Sequence, residues 1–556
     1  MTSKFTNLNS FFEKTCATYK TKPCLCDVDG ESFSYDQVFD RVSELSTVLA
    51  KSCIGPGEPI AIVAANSSHW VIAYFAIIRL GCVAVPILTD FCDQDIANII
   101  LETGARAVFT CQQNQERVLS ICQEDILVLS FCSNNAGFAY EIRKPAIMKV
   151  DGDQYTPKTQ GLYDSSQTAS IIYTSGTSGH SKGVLLSHAN LLANLESASK
   201  LIAIQSSWRF LSVLPLSHAY EFTIGLLLPL FNGASIHYLR KRPTPTLLQT
   251  ACGAVAPHVV CMVPLLLEKI FKKKVQPVLT GNRICSALIK IPLLKRQILK
   301  FIGRKVIRLF GGNIKLFAIG GAALHFNTEE FLKMAELPYL VGYGLTEASP
   351  LVAGGPFGDS SISLGSVGKV IPDVEVTLVD IDKSSGVGEI QVRGANIMLG
   401  YFENSQLTRE TITADGWLKT GDLGLFDCNM NLVITGRIKN VIVLSSGENI
   451  YPEELEDKLL SFLEIAETIV VVKKGRLEAV IVPDYEYIAD KHGINESKID
   501  SGGAQLVFNE IDSIRRAVNE RVPAYAKILS VREHPQPLIK TPTHKVKRFL
   551  YTTDQE

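Results

Sequence analysis

The segment from Ile171 to Leu186 reads IIYTSGTSGHSKGVLL, and the interpretation of the whole chain starts from it. A short apolar run typical of a strand ends in a Thr/Ser/Gly segment, and Lys182 and Gly183 then precede a second apolar run. Glycine lets the backbone approach a ligand closely, and successive N–H groups and hydroxyls can surround phosphate oxygens. The lysine adds a mobile positive charge. The segment therefore predicts a phosphate-binding loop in preference to an ordinary surface turn.

This loop does not fit the Walker pattern. Counted from Gly176, the position that requires Gly holds Ser181, and the position that requires Ser or Thr holds Gly183. The segment instead resembles the phosphate loop of the adenylate-forming superfamily, which comprises acyl-CoA synthetases, luciferases and peptide-synthetase adenylation domains. The resemblance implies that Lys182 is catalytic and that ATP phosphates are bound by Thr174, Ser175, Gly176, Thr177, Ser178 and Gly179.

Composition limits the classes of protein that fit. A chain of 556 residues is too long for one core and predicts two to four domains. The formal net charge of −1 argues against nucleic-acid binding, and thirteen scattered cysteines without metal-type spacing favour reduced thiols. The N-terminus lacks the apolar core of a secretion signal. We expect a cytoplasmic protein without a spanning helix, because Arg79, Gly81 and Pro86 interrupt its most apolar stretch, and we leave a peripheral membrane position open.

Residues 214–221 read LPLSHAYE. A lone histidine beside an apolar helix is usually a packed core residue. The octet, however, resembles a signature of long-chain acyl-CoA synthetases, in which this segment and the helix after it line the acyl pocket. A strongly apolar wall suits an alkyl chain. The resemblance, which continues at residues 263–270, implies an acyl pocket or gate formed by His218, Tyr220, Phe222, Val263 and Pro264.

Two glycine-containing motifs follow apolar runs further along the chain. Residues 320–324 (GGAAL) resemble a Gly-Gly-Ala-Pro-Leu turn of the superfamily, and residues 342–347 (GYGLTE) match its next motif without change. Here the resemblance implies that Tyr343 stacks on adenine, Thr346 binds the nucleotide phosphate in a catalytic role, and Glu347 holds Mg²⁺. A hard cation prefers carboxylate oxygen and can bridge phosphates. The further nucleotide-binding positions are Gly321, Ala322, Gly342 and Gly344.

Later segments resemble other motifs of the superfamily. Asp422, in DGWLKTGDLG (415–424), corresponds to an aspartate that accepts both ribose hydroxyls. Arg437, in TGRIKN (435–440), corresponds to a residue that contacts ribose and phosphates, and Lys439 falls on a hinge. Residues 538–548 (LIKTPTHKVKR) match a segment whose lysine catalyses adenylation, which places that role on Lys545. The segment 445–456 is predicted to open the small C-terminal domain, with a tunnel for the thiol acceptor at Ser446, Gly447 and Glu448.

The resemblance extends from about Phe11 to Arg548 and implies a mixed α/β fold. It predicts a large N-terminal adenylation domain (1–436) with two parallel-sheet αβ subdomains and a small distorted β-barrel. A hinge (437–440) and a small mobile α+β domain (441–556) follow. The residues themselves support part of this, because strand Ala61–Ala65, helix Ser68–Leu80 and strand Val83–Ile87 predict a parallel pair with a crossover helix.

Lys269–Arg308 contains many lysines and arginines among apolar residues and no acid before Arg308. Basic amphipathic helices suit an anionic membrane surface or an acidic protein such as acyl carrier protein. A solvated basic face is an equally simple interpretation.

The expected function is ATP- and Mg²⁺-dependent activation of a medium- or long-chain fatty acid through an acyl-adenylate. The acyl group would then pass to a phosphopantetheine thiol, with CoA as the first choice of acceptor and holo-acyl carrier protein as the alternative. More distant alternatives are a luciferase-like oxygenase and a non-catalytic lipid-binding or acyl-AMP-binding relative. The joint retention of Glu347, Asp422, Arg437 and Lys545 weakens the last of these.

Overall fold

The computed structural model describes residues 5–132, 139–143, 164–175, 181–240, 243–271, 291–443, 448–473, 475–494, 504–541 and 546–552. Its strands form two large, mostly parallel sheets, one smaller antiparallel sheet and the small sheets of the C-terminal region. The predicted mixed α/β class is confirmed.

The first sheet carries the predicted phosphate-loop segment. Its strands in spatial order are β18 (Gly400–Tyr401), β9 (Ser181–Ser187), β8 (Thr168–Ser175), β4 (Val83–Pro86), β3 (Pro59–Val63), β5 (Ala107–Cys111), β6 (Leu127–Cys132) and β7 (Ala139–Arg143). Strands β8, β4, β3, β5 and β6 are parallel, whereas β7, β9 and β18 pair antiparallel to their neighbours. The predicted parallel pairing of β3 with β4 is confirmed, since Ile60 lies opposite Ala84.

The second sheet carries the two glycine motifs. In spatial order it contains β15 (Leu351–Gly354), β14 (Tyr339–Gly344), β13 (Leu316–Ile319), β12 (Val259–Met262), β10 (Arg209–Ser212), β11 (Ser235–Tyr238), β1 (Pro23–Asp27) and β2 (Ser32–Ser34). All neighbouring pairs are parallel except β14–β15 and β1–β2. The 320–324 turn therefore follows a central parallel strand at its carboxyl end, where ligands of open α/β sheets usually bind.

Helices lie between and around these sheets. The α-helices of the region before residue 437 are α1 (Leu8–Tyr19), α2 (Tyr35–Lys51), α3 (Ser68–Leu80), α4 (Asp93–Thr103), α5 (Gln115–Ile121), α6 (His188–Ser199), α7 (Leu228–Phe231), α8 (Pro245–Val255), α9 (Pro264–Ile270), α10 (Pro292–Leu309), α11 (Phe326–Met334) and α12 (Ser405–Thr411). A π-helix, Glu221–Leu227, leads directly into α7. The wider turn of a π-helix often marks a functional segment.

Helix α3 explains how the two large sheets form one body. Every residue of α3 except Arg79 is buried, and the Arg79 guanidinium lies 2.5 Å from a carboxylate oxygen of Glu13 on α1. A helix that is apolar on all sides must be enclosed on all sides. One continuous core cluster joins α3 to apolar residues of both sheets, such as Phe109 of the first and Phe210 of the second.

The chain turns β-rich after Gly365, as predicted. Strands β16 (Val374–Val379), β17 (Gly388–Gly394), β19 (Leu418–Phe426) and β20 (Leu432–Arg437) form a four-stranded antiparallel sheet. This sheet occupies the place of the predicted small barrel and carries Asp422 and Arg437 on adjacent strands.

The region after residue 440 has its own core. Its α-helices are α13 (Pro452–Leu460), α14 (Tyr485–His492), α15 (Ala504–Asn519) and α16 (Phe549–Thr552), and its strands are β21 (Ile442–Val443), β22 (Asn449–Ile450), β23 (Ile465–Lys473), β24 (Arg476–Pro483) and β25 (Ser530–Glu533). Helix α13 begins at Pro452 with two glutamates in its first turn, the predicted helix start. The exact domain limits stay a prediction. Within the described ranges, no helix combines the length and apolar character needed to cross a bilayer.

Candidate active site

The predicted phosphate-loop segment lies between two antiparallel strands. Thr174 at the end of β8 lies directly opposite Lys182 at the start of β9, and both are half-buried. Gly176, Thr177, Ser178 and Gly179 fall outside the described residues, as does the side chain of Ser175. The predicted strand–loop–strand arrangement is therefore present, and the contacts of the loop itself stay a prediction.

Tyr401 connects this hairpin to the GYGLTE motif. It lies on β18, opposite Val184 of β9, and its hydroxyl donates a hydrogen bond of 2.9 Å to Oε1 of Glu347. The ammonium of Lys182 lies 5.4 Å from the centroid of the same ring. Burial and the neighbouring Glu347 raise the pKa of Tyr401, so the ring stays a neutral donor. Tyr401 thus fixes one oxygen of the carboxylate predicted to hold the metal.

The GYGLTE motif extends from β14 into a short 3₁₀ turn, Thr346–Ala348. Glycine is required at Gly344, because a Cβ added there would lie 2.0 Å from the carbonyl oxygen of Pro350, just before the returning strand β15. Thr346 is buried and Glu347 is half-buried. The close β14–β15 approach therefore brings the Thr346 and Glu347 side chains into a fixed turn at the strand end.

Tyr343, Asp422 and Arg437 form one polar set across two sheets. The Tyr343 hydroxyl donates to Oδ2 of Asp422 at 2.8 Å, and Nε of Arg437 lies 2.9 Å from Oδ1 of the same carboxylate. Asp422 is buried, whereas Arg437 is exposed. Burial raises the pKa of Tyr343, and the adjacent Asp422 raises it further. Three predicted nucleotide-binding residues, from motifs up to 94 positions apart, are thus brought together.

The turn after β13 lies against part of the predicted acyl pocket. Gly321 has a φ of +84°, which favours glycine, and a Cβ added there would lie 3.6 Å from Cγ1 of Val263. The Tyr220 hydroxyl donates to the carbonyl of Ala318 at 2.8 Å, and its ring lies beside Gly320. The Tyr220 and Val263 side chains therefore lie beside the segment predicted to bind the adenylate. Ala322 is exposed in the same turn, and Pro264 begins α9.

Phe222 lies in a different environment. Its ring centroid is 4.7 Å from that of Tyr74 and 6.4 Å from that of Trp70, so it packs on α3 in the shared core. His218 is half-buried at the turn before the π-helix, where its carbonyl accepts the N–H of Phe222. Phe222 therefore anchors the π-helix, of which it is part, on α3, and the roles of Tyr220 and Phe222 in an acyl pocket stay a prediction.

Glu221 begins the π-helix and is fully buried. Neither carboxyl oxygen has a hydrogen-bond partner at bonding geometry among the described residues. Burial raises the pKa of Glu221 to about 8, and the nearby Ser212 hydroxyl only partly offsets this. Gly225 leaves room for the carboxyl group, because a Cβ at that position would lie 2.6 Å from it.

Only part of the predicted hinge and thiol tunnel lies within the described residues. Lys439 is exposed in the 3₁₀ turn Ile438–Asn440, next to Asn440, whose side-chain amide donates to Oε1 of Glu453 at 2.5 Å. Oε2 of Glu448 is buried without a partner in the described ranges. Ser446, Gly447 and Lys545 fall outside those ranges.

The donor groups present fit a magnesium ion that is shared with phosphate oxygens. Mg²⁺ usually takes one or two carboxylates, keeps several waters and completes its shell with substrate phosphates. Glu347 supplies one carboxylate, of which Tyr401 engages only Oε1. No cluster of three His, Cys, Asp or Glu side chains suited to a metal occurs in the part of the chain that the structure describes. The single carboxylate of Glu347 with one oxygen not bound by Tyr401 is compatible with a magnesium ion that also takes water and phosphate oxygens.

Comparison with known proteins identifies the family of the chain. The model of the AMP-binding enzyme family matches residues 12–402, so the chain belongs to that family. Long chain acyl-CoA synthetase 6, peroxisomal, of Arabidopsis thaliana is 27% identical over 94% of this chain and 80% of the relative. Long-chain-fatty-acid–CoA ligase FadD15 of Mycobacterium bovis is 29% identical over 88% of this chain and 86% of the relative.

The fold also matches solved structures. ATP-bound MatB from Rhodopseudomonas palustris superposes with a TM-score of 0.75 at 21% identity, covering 98% of each chain. The predicted membership of the adenylate-forming superfamily is confirmed. Sequence reasoning did not identify Tyr401. A local signal for it was lacking, because its contacts with Glu347 and Lys182 depend on strand pairing across more than two hundred residues.

Proposed function

We propose that this protein is an acid–thiol ligase that activates a medium- or long-chain fatty acid as its acyl-adenylate and transfers the acyl group to CoA. The observation that carries the proposal is the convergence of Tyr343, Asp422 and Arg437 into one polar set beside the GYGLTE turn. The naming of relatives at 27% and 29% identity as long-chain acyl-CoA synthetase or ligase supports the substrate class.

In the first half-reaction, a carboxylate oxygen of the fatty acid attacks the α-phosphorus of ATP. An O–P bond forms, the bond to the bridging oxygen breaks, and pyrophosphate leaves with the electron pair. Lys182 and Lys545 would oppose the repulsion between the two anions, and Asp422 would orient the ribose. Mg²⁺ held by Glu347 would supply charge neutralisation on the phosphate oxygens.

In the second half-reaction, the thiol sulfur attacks the acyl carbonyl. A C–S bond forms, the C–O bond to AMP breaks, and the thiol proton passes to solvent. Lys545 has no role in this step and would obstruct entry of the thiol. Rotation of the region after residue 440 about the turn at Lys439 would withdraw it, and Ser446, Gly447 and Glu448 would then line the path of the acceptor.

The substrate class rests on apolar surroundings. The Tyr220 ring and the Val263 side chain lie beside the turn predicted to hold the acyl-adenylate, and the buried, mostly apolar π-helix follows Tyr220 directly, which supports an apolar pocket. Each methylene of an alkyl chain that such a surface buries contributes about 0.8 kcal/mol. A long alkyl chain therefore gains more from this pocket than a short or charged acid.

We also propose that helix α10 rests on an anionic membrane surface. Leu294 and Phe301 lie two turns apart on one face of α10 and are 37% and 54% exposed. The Lys305 ammonium lies 4.7 Å from the centroid of the Phe301 ring, and Arg304 and Arg308 are exposed nearby. Exposed apolar side chains flanked by cations suit a lipid interface better than an acidic carrier protein. Residues 272–290 of the predicted basic stretch lie outside the described residues.

The test of the function is mass spectrometry of the products that form from purified protein, ATP, Mg²⁺ and palmitate. CoA and holo-acyl carrier protein are offered in parallel. Acyl-CoA as the main product supports the proposal. The carrier-protein thioester alone would replace CoA as the acceptor and make α10 a docking surface for protein. The absence of AMP and pyrophosphate would overturn the proposal.

A further inference from the structure

His325 lies at a junction of three parts of the molecule. It follows the turn at residues 320–324 directly and precedes helix α11. Its Nδ1 lies 2.7 Å from Oδ1 of Asp457 on α13, and its Nε2 lies 3.5 Å from Oε2 of Glu268 on α9. One imidazole ring therefore contacts carboxylates that belong to two different regions of the chain.

A second contact lies beside the first. The side-chain amide of Asn327, in the first turn of α11, donates to the carbonyl of Ser461 at the carboxyl end of α13, at 3.2 Å. We call the contacts of His325 and Asn327 with α13 the seam. Because α13 lies in the proposed small domain, the seam joins that domain to the segment that follows the adenylate turn.

Glu268 connects the seam to the predicted acyl pocket. It lies on α9, one helical turn after Pro264, and Cγ1 of Val263, just before α9, lies 3.6 Å from the position that a Cβ at Gly321 would take. The Glu268 side chain is 13% exposed, whereas that of Asp457 is 43% exposed. Glu268 is thus held in place by the packing around it. Asp457 is accessible enough to separate from His325 when α13 moves.

The two contacts of the ring are not independent. A neutral imidazole carries one N–H and can donate to only one of the two carboxylates, whereas the imidazolium form can donate to both. A shift of Glu268 therefore changes how the ring engages Asp457. The hydrogen bond between His325 and Asp457 is partly exposed, so it can form and break at a small cost in free energy.

We propose that His325 is a positioning residue that couples the acyl-pocket helix α9 to the orientation of the small domain. Occupation of the pocket moves α9 and Glu268, His325 follows, and the hold on Asp457 changes. This inference rests on the proposed function, because it assumes that α9 borders the acyl chain and that the small domain must reorient between the two half-reactions.

The first test uses amide hydrogen exchange of the full-length protein with palmitate and without ATP or thiol. In the wild type, we expect palmitate to change amide exchange in α9 and also in α13, which lies in the proposed small domain. In His325→Ala, the change in α9 should persist and the change in α13 should disappear. A change in α13 that survives in His325→Ala would overturn the proposal.

The second test is a double-mutant cycle on the two half-reactions. His325→Ala and Asp457→Ala should each alter the ratio of adenylation rate to thioester formation from supplied acyl-adenylate by roughly three- to tenfold, and the double variant should match the single ones. His325→Gln keeps an N–H donor and should restore part of the ratio. Equal loss of both half-reactions, or additive effects, would overturn the coupling.

The control is Glu454→Gln, an exposed carboxylate on the same helix α13, which should leave exchange and the ratio unchanged. The proposed function and the coupling through His325 can be contradicted separately. Absence of adenylation in the wild type would contradict the proposed function. If adenylation occurs but α13 does not respond to palmitate, only the coupling is wrong.

Discussion

The hydroxyl of Tyr343 and Oδ2 of Asp422 are 2.8 Å apart, although Tyr343 lies near the end of a strand of the second sheet and Asp422 lies in the third sheet. Arg437 holds the second oxygen of the same carboxylate. A ribose that binds Asp422 must therefore share this carboxylate with two protein donors already in place. The aspartate is pre-oriented before nucleotide arrives.

This arrangement predicts graded effects on nucleotide binding. Asp422→Ala should raise the KM for ATP or lower adenylation by roughly 10- to 100-fold, since bonds to a charged group are lost. Tyr343→Phe removes only the orienting bond and should cost about fivefold. Pyrophosphate exchange measures both. Glu375→Gln, which breaks an exposed ion pair with Arg393 in the same sheet, is the control and should change nothing. Equal effects of all three variants would contradict the assigned roles.

Tyr401→Phe should weaken the metal site without emptying the nucleotide site. Without the Tyr401 hydroxyl, the Glu347 carboxylate is free to rotate and is no longer pre-oriented for the metal. The Mg²⁺ concentration for half-maximal activity should therefore rise about tenfold. Calorimetry of ATP binding, with and without Mg²⁺, gives a readout that does not depend on turnover. Tyr339→Phe is a matched control, because Tyr339 donates to Glu329 at 3.2 Å in a similar pair away from the site. An identical metal response of the two variants would refute the role of Tyr401.

Gly344→Ala should destabilise the protein by about 1–3 kcal/mol or more, because the new Cβ meets the Pro350 carbonyl. Gly253→Ala is the counterpart. Among the described residues, no atom outside the backbone of helix α8 and the two chain neighbours lies within 4 Å of a Cβ at Gly253, so alanine there should stabilise the protein by about 0.5–1 kcal/mol. Thermal unfolding of both variants checks the pair. A stable, active Gly344→Ala protein would mean that the β14–β15 approach is looser than described.

Glu221 predicts a pH dependence of stability. Its pKa is raised to about 8 in the folded protein, so between pH 4.5 and pH 8 the unfolded chain has released this proton while the folded chain keeps it. Stability should therefore fall as pH rises through this window, by at most about 1.4 kcal/mol per pH unit from this group. Glu221→Gln removes that contribution. Its melting temperature relative to wild type should increase from pH 5 to pH 8, and a constant difference would show that Glu221 is ionised in the fold.

The outer face of α10 should govern lipid binding. Replacing Leu294 and Phe301 by serine should lower partitioning onto vesicles of mixed phosphatidylcholine and phosphatidylserine by about tenfold or more. Added salt should weaken binding of the wild type, because exposed cations contribute. Leu101→Ser is the control, since Leu101 is 66% exposed on α4. Binding of the double variant equal to wild type would exclude α10 as the contact.

Contiguous motifs carried most of what could be predicted from sequence. Residues 342–347 supply a strand, an obligatory glycine and two polar side chains within six positions, so the turn is readable locally. Tyr401 and His325 are different, because each acts on a carboxylate that the chain brings close only after folding. Phe222 shows a third limit. Its ring packs against Trp70 and Tyr74 on α3, about 150 positions earlier in the chain, and the apolar sequence alone could not identify those neighbours.

The pairing of β18 with β9 has a consequence for the order of synthesis. Residues 400–401 complete the edge of a sheet whose other strands are all made by residue 187. During translation, the hairpin that carries the phosphate-loop segment therefore keeps an unpaired edge while more than two hundred further residues emerge. The nascent chain therefore exposes this strand edge to pairing with wrong partners for that whole interval.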